Sequence, residues 1–455
     1  MRRSSASWKR RSGTKSREGQ GKNDGAGATD REGGYGAELT ALAGWLSGEG
    51  AGAPPVEVEE RIRAAAMAEG ARFFREHVEI RLPRQLGLEC IAGSRGYRTR
   101  KLLTALGETE VRRLYVPGKG CPLDAALGLE GRCTPKAAEM LCHAAAMDES
   151  YDKGEAALRV LAGIEVAGRS LQRLVNRVSP RMEAEGADRK PATPAPGQRS
   201  DMQLDMTGVV VRPEDLADTR GKDGDPKKKQ LKVGASFFRE RDADGQWNVV
   251  KSSIAHTVAY EPPEDFGRRL RDWERTRGLG AADVHTVTAD GAPWIWELVD
   301  VWFPQAVQVV DFYHACEHLG ELCRLMHPGD KQAADGLFAM RRRMLKAHGA
   351  GCLVRYFEKH AAESPSKDEI LSKLSYFRTN LARMEYGKFR KAGLVIGSGV
   401  VEGSCRSLVN QRADLSGQRW HPEGALNVLR IRGMIIDGIH AAYWKQRGCP
   451  LRQPA

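Results

Sequence analysis

Between residues 201 and 326 the hydrophobic period switches repeatedly between two and about 3.6 residues, the periods of strand and helix. Three strand-like stretches come first, LDMTGVVV, LKVGASFFRE and WNVVKSSIAHTVAY, and read as a meander. A charged excursion, DLADTRGKDGDPKKKQ, separates the first two. An amphipathic helix follows (DFGRRLRDWERTRG), then a buried strand (VHTVTADG), a helix (APWIWELVDVWF), a second buried strand (AVQVVDFYH) and a helix running on from Ala315. Buried strands alternating with helices need helices on the sheet faces, so this stretch predicts an α/β core.

Three strands, then helix, strand, helix, strand, helix is an RNase H-like order. Residues 327–391 read as helical with no strand candidate, so the core (201–326) is expected to be interrupted by an α-helical insertion. It would be completed by the final helices of residues 392–445.

Upstream, residues 1–35 carry many Gly and Ser, few apolar side chains and a basic excess. They cannot bury enough surface to offset ordering entropy, and read as a disordered basic arm. Residues 36–133 read as a small mixed α/β subdomain, with helical spacing from Pro54 to His77 and a hairpin around LLTALGETEVRRLYV. Residues 134–180 read as helical and contain SYDKGEAALRVLAGIEVAGRSLQRLVNRVS, two short amphipathic helices broken at glycines. As a helix-turn-helix, the second helix would offer Arg169, Gln172, Arg173 and Arg177 to DNA while Leu171, Leu174 and Val175 pack inward. An ordinary helical hairpin reads equally well. Residues 181–200 gain Pro, Ala and charge, the composition of a linker.

The formal net charge of +12 favours a polyanionic partner, because Lys and Arg gain free energy by releasing phosphate counterions. The chain holds no apolar run of about 18 residues, so no membrane span is expected. Nine cysteines without paired spacing fit a reducing compartment, here a bacterial cytosol with nucleoid association.

Three acidic positions stand out. Asp205 lies inside the first strand, where a charge is costly unless it binds something. Asp290 ends a buried strand before Gly291, at the edge where α/β sheets place ligands. Glu402 follows Gly397-Ser398-Gly399-Val400-Val401, a flexible entry to a helix. Each alone is better explained by capping a turn or helix; their order, Asp on the first strand, Asp after the fourth and Glu on a late helix beyond an insertion, is more specific. Carboxylates at those places are the hard ligands that metal-assisted phosphoryl transfer requires.

The segments DMTGV, TADGAPWIWELVDVWFPQAVQVVDFYHACEHL and GSGVVEGSCRSLVNQR resemble the ISKra-type insertion-sequence transposases, relatives of the Mutator-like group, over roughly residues 80–440. The resemblance implies a DDE transposase acting on double-stranded DNA, transposon ends and target, as a homo-oligomer. Asp205, Asp290 and Glu402 would hold two Mg²⁺ (or Mn²⁺) ions. It also implies a role for His314, in Asp311-Phe312-Tyr313-His314, in contacting the scissile DNA or orienting a carboxylate. The simpler reading is a helix-capping Asp311 and a partly buried His314. His314, Cys316 and His318 also suggest zinc, but a fourth ligand is not evident. Arg412, Arg419 and Trp420 are candidate contacts to phosphates and an unstacked base, with a core role equally open for Trp420.

One departure concerns the paired cysteines of a zinc ribbon, replaced here by isolated Cys90 and Cys121, so residues 36–133 are expected to be a degenerate, metal-free version. The alternatives are an inactive or domesticated DNA-binding relative and an RNase H-like nuclease or resolvase without strand transfer.

Overall fold

The computed structural model describes residues 36–215 and 228–447. The expected basic arm, and much of the charged excursion after the first core strand, lie outside them. The chain divides into a unit ending at Glu69 and a larger one from Gly70 onward. In the first, the helix Ala37–Ser47 is followed by the start of the helix Pro55–Glu76, where the Arg61 guanidinium lies 4.0 Å over the Trp45 ring.

In the larger unit, β1 (Tyr97–Thr104) and β2 (Gly107–Leu114) form the expected hairpin, with Thr104 paired to Gly107. The main sheet holds β3 (Arg199–Val210), β4 (Lys228–Arg241), β5 (Trp247–Val249), β6 (Ala255–Ala259), β7 (His285–Ala289) and β8 (Val307–Val310). The path is β5-β4-β3-β7-β8, with β6 also on β4. β3 to β6 pair antiparallel, whereas β7 joins β3 and β8 joins β7 in parallel. The molecule is therefore mixed α/β with a mixed sheet.

The third expected strand is split. β5 meets Arg239–Arg241 of β4, β6 meets Lys232–Ser236, and a 3₁₀ turn at Lys251–Ser253 lies between. Ser253 Oγ accepts from Phe238 N at 2.8 Å and donates to Val250 O at 2.6 Å. A side-chain hydroxyl thus takes over a rung of the ladder and lets the strand break without orphaning a backbone donor.

Alternation along β3 sends its side chains to two cores. Met202 and Leu204 join a cluster with the helices Pro263–Arg277, Pro293–Trp302 and Phe312–Met326, which also takes in Leu345, Phe357, Leu374 and Tyr386 of the 327–391 helices. Residues 327–391 contain helices and no strand, as expected, and share the core of the sheet. A second cluster contains Val233 and Ala235 of β4, the helices Pro135–Met147 and Gly168–Ala184, and the late helix Pro422–Ile436.

That second core corrects the domain reading. Residues 134–180 do not form a separate body joined by a loose linker over 181–200, because Leu171, Leu174 and Val175 pack with Val428 and Leu429. The linker segment itself is fastened, Lys190 Nζ donating to Ser252 O at 2.6 Å and Arg277 Nη1 to Lys190 O at 3.0 Å. Among the described residues no helix is long and apolar enough to cross a membrane.

Candidate active site at the carboxyl end of the sheet

β3 carries Asp201, Gln203 and Asp205 on one face, and the segment 392–420 tracks this strand. Asp201, fully buried, pairs with Arg239 Nε at 2.6 Å, and Arg239 Nη1 donates to Gly393 O at 2.9 Å. Gln203 binds Gly397 O and the amides of Val400 and Val401. Asp205 Oδ2 accepts from the Cys405 thiol at 3.5 Å, and Thr207 Oγ1 lies 3.4 Å from Asn410 Oδ1. Arg212 N finally donates to Trp420 O at 2.9 Å. This run delivers Glu402, on the short helix Gly399–Ser404, to the neighbourhood of Asp205.

Asp290 leaves the end of β7 on the other side of Asp205, since β7 pairs with β3 as far as Leu204 opposite Ala289. Its Oδ1 accepts from Ala292 N at 2.9 Å, which closes the turn into the helix Pro293–Trp302. Tyr376, from the helical insertion, donates to Asp290 O at 2.8 Å. Gly291 at φ 102° makes the turn there, and a Cβ at that position would come within 2.7 Å of the Tyr376 ring. The insertion therefore braces the second carboxylate.

Asp205 senses the other two acids. Burial pushes the Asp205 carboxyl up first, and the charges of Asp290 and Glu402 push it further in the same direction. Among the described residues none of the three forms an ion pair. Glu402 is exposed and accepts from Ser398 Oγ at 2.5 Å. Burial, with Asp205 and Glu402 beside it, pushes the Cys405 thiol up, so it stays protonated and donates to Asp205.

Hard oxygen donors with uncompensated negative charge are the donor set that divalent cations take. In kind, then, the residues fit a divalent metal. In arrangement they are open, since no group of three or more His, Cys, Asp or Glu side chains among the described residues is gathered as a metal cluster.

Asp311 is a fourth carboxylate at this edge, at the end of β8. It caps the helix Phe312–Met326 through His314 N at 2.6 Å and accepts from Ser398 N at 2.5 Å and Ser398 Oγ at 2.9 Å. The Ser398 hydroxyl faces both Asp311 and Glu402, and its single hydrogen serves one of them at a time. His314 stands one turn into that helix, 3.4 Å from Glu317, with its ring 5.0 Å from His318. His318 in turn lies against Tyr376 at 4.0 Å between centroids.

The remaining expected contacts divide. Arg169 and Arg173 are exposed and Gln172 half-buried on the outer face of the helix Gly168–Ala184, while Arg177 pairs with Glu130 at 2.9 Å. Arg419 is exposed. Arg412 is not a surface contact: it is fully buried, donates to Ala145 O at 3.0 Å and Glu149 O at 3.2 Å, and lies between the Tyr151 and Trp420 rings, 4.8 Å from each. Trp420 is likewise buried, its backbone bridged to Val211 at the end of β3. Gln172, Arg419 and Trp420 all line one cleft of about 500 Å³ that also takes in Arg212 and Asn176.

Gln203, Ser398 and Cys405 escape sequence reasoning, because the partners that place them lie far along the chain, 87 residues from Ser398 to Asp311, 197 from Gln203 to Val400 and 200 from Cys405 to Asp205. The one available signal is the alternation Asp201, Gln203, Asp205, which puts an unusual polar row on one face of a buried strand. No protein-family model matches the chain, and no curated protein matches it.

Proposed function

We propose that the chain is a DDE-type DNA transposase with an RNase H-like catalytic core, in which Asp205, Asp290 and Glu402 form the acidic triad. The supporting observation is that three carboxylates from β3, the end of β7 and a late helix surround one sheet edge, and among the described residues no cationic side chain is paired to any of them. Their order, with a helical insertion before the Glu, is that of the resemblance to ISKra-type transposases.

Asp205, Asp290 and Glu402 would hold Mg²⁺ or Mn²⁺, which supplies activation of the attacking oxygen and charge neutralisation at the leaving one. The protein's own residues set the stage. Tyr376 and Gly291 fix the turn that presents Asp290. Ser398 Oγ lies within hydrogen-bond distance of both Glu402 and Asp311, so Asp311 would retain the hydroxyl if Glu402 served as a metal ligand. The outer face of Gly168–Ala184, with Arg169, Gln172 and Arg173, is the proposed surface for transposon ends, and Arg419 a further phosphate contact. Double-stranded DNA is the partner, and the pairing of two ends makes the working form a homo-oligomer.

The test is nicking of duplex DNA in Mg²⁺ or Mn²⁺ by wild type, Asp205→Asn and Glu402→Gln. Metal-dependent nicking that falls about 10³-fold or more in either variant, with DNA affinity retained, is expected. Nicking that persists in both variants rejects the triad.

A further inference from the structure

We infer that Gln203 is a positioning residue for Glu402, its side-chain amide serving as the helix cap that the Glu402 helix lacks. The inference rests on the triad reading above and adds a residue to it. The helix Gly399–Ser404 opens at Ser398, whose side chain makes no capping bond to that helix because its hydroxyl faces Asp311 and Glu402. A helix start leaves backbone N–H groups without partners, and a cap supplies an acceptor to the second or third of them. Here the acceptor arrives from β3: Gln203 Oε1 takes Val400 N at 3.1 Å and Val401 N at 3.0 Å. The other end of the amide, Nε2, donates to Gly397 O at 3.0 Å.

The amide orientation is fixed by these partners. Flipped, it would set its NH₂ against two N–H donors and its oxygen against a carbonyl. Gln203 is 1 % exposed, so nothing from solvent replaces it. Its place in the strand gives the cap a further consequence. Gln203 stands two residues before Asp205 on the same face, so one strand carries the first carboxylate and also clamps the backbone that carries the third. Asp311 holds the same segment from the end of β8 through Ser398 N. The separation of Asp205 and Glu402 is therefore set by a three-point amide clasp. A supporting group of this kind acts on metal affinity by orienting the ligand.

The experiment compares wild type with Gln203→Leu and Gln203→Asn in two readouts, amide hydrogen exchange and Mn²⁺ binding by titration. Leu removes the donor and acceptor; Asn keeps an amide but is one methylene too short to reach all three partners. In both, exchange at Val400 and Val401 is expected to rise about tenfold or more while other sheet and helix amides stay within about threefold. The Mn²⁺ concentration for half-saturation is expected to rise about tenfold. Wild-type exchange at Val400 and Val401, wild-type Mn²⁺ binding, or a rise spread evenly over the molecule overturns the inference, the last because it marks a merely structural role. Should Gln203→Leu fail to fold, Gln203→Asn decides. If the wild-type protein itself binds no Mn²⁺, the triad reading fails, and the exchange pattern alone decides the clasp.

Discussion

Buried polar groups at single positions make this molecule sensitive to pH in a calculable direction. His440 accepts from Trp444 Nε1 at 3.0 Å, so its ring is neutral at Nε2, and burial depresses it to about 4 from the ordinary 6.5. Burial likewise depresses His285 to about 4. A histidine whose folded pKa lies below its unfolded one contributes stability that is complete above 6.5 and lost as pH falls from there towards 4. The unfolded chain takes up the proton first. His440→Gln keeps an acceptor for Trp444 and removes the titration. In urea unfolding at pH 7 and pH 4.5, the variant's loss of stability between the two is expected to be smaller than wild type's by about 2–3 kcal/mol. Equal losses would show that His440 is not held neutral. At this scale the strand positions of Asp205 and Asp290 were legible in the sequence, because acids inside or ending buried strands are costly and so conspicuous, whereas Glu402, exposed on a short helix, is marked only by its order after them. Arg412 was not: an arginine fully buried between two rings is indistinguishable, in sequence, from one facing solvent.

Between elements, close backbone approach governs what can be changed. Gly387 lies in the helix Tyr386–Lys391 against the Ala347 carbonyl of the helix Lys331–His348, and a Cβ there would overlap that oxygen. Backbone cannot yield as a side chain can, so Gly387→Ala is expected to cost about 1–3 kcal/mol by thermal or urea unfolding. Gly336 in the same long helix has nothing within 4 Å of the added carbon, and Gly336→Ala is expected to be neutral or stabilising by up to about 1 kcal/mol. The helix Gly168–Ala184 carries a second prediction. If its outer face meets DNA, replacing both Arg169 and Arg173 by Ala reduces the slope of log affinity against log salt by roughly 2, with no change in melting temperature. An unchanged slope would leave this helix as a structural hairpin. Period alone identified most of these elements, including the inward Leu171, Leu174 and Val175. It could not foresee the break between β5 and β6, because that depends on Ser253 reaching the Phe238 amide on another strand.

Within the larger unit, two of its cores flank the mixed sheet, and the carboxyl edge of that sheet is where chain segments from distant parts of the sequence converge. Sequence reasoning separated the amino-terminal helices from the sheet by a linker, since Pro and charge mark a linker by composition. Tertiary packing of Leu171 and Val175 with Val428 and Leu429 overrode it. The helical insertion, expected as an interruption, instead contributes Leu374, Phe377 and Tyr386 to the sheet's own core and Tyr376 to the Asp290 turn. Convergence of that kind is invisible to a local reading. The most direct test of the proposed function is cleavage and joining of DNA bearing the element's own terminal repeats, in Mg²⁺ or Mn²⁺, by wild type and by Asp290→Ala. The account predicts metal-dependent joined products from wild type and a loss of about 10³-fold or more in the variant, with end binding retained. Tight end binding by a folded wild-type protein with no cleavage in either metal would contradict it and leave a DNA-binding relative without the chemistry.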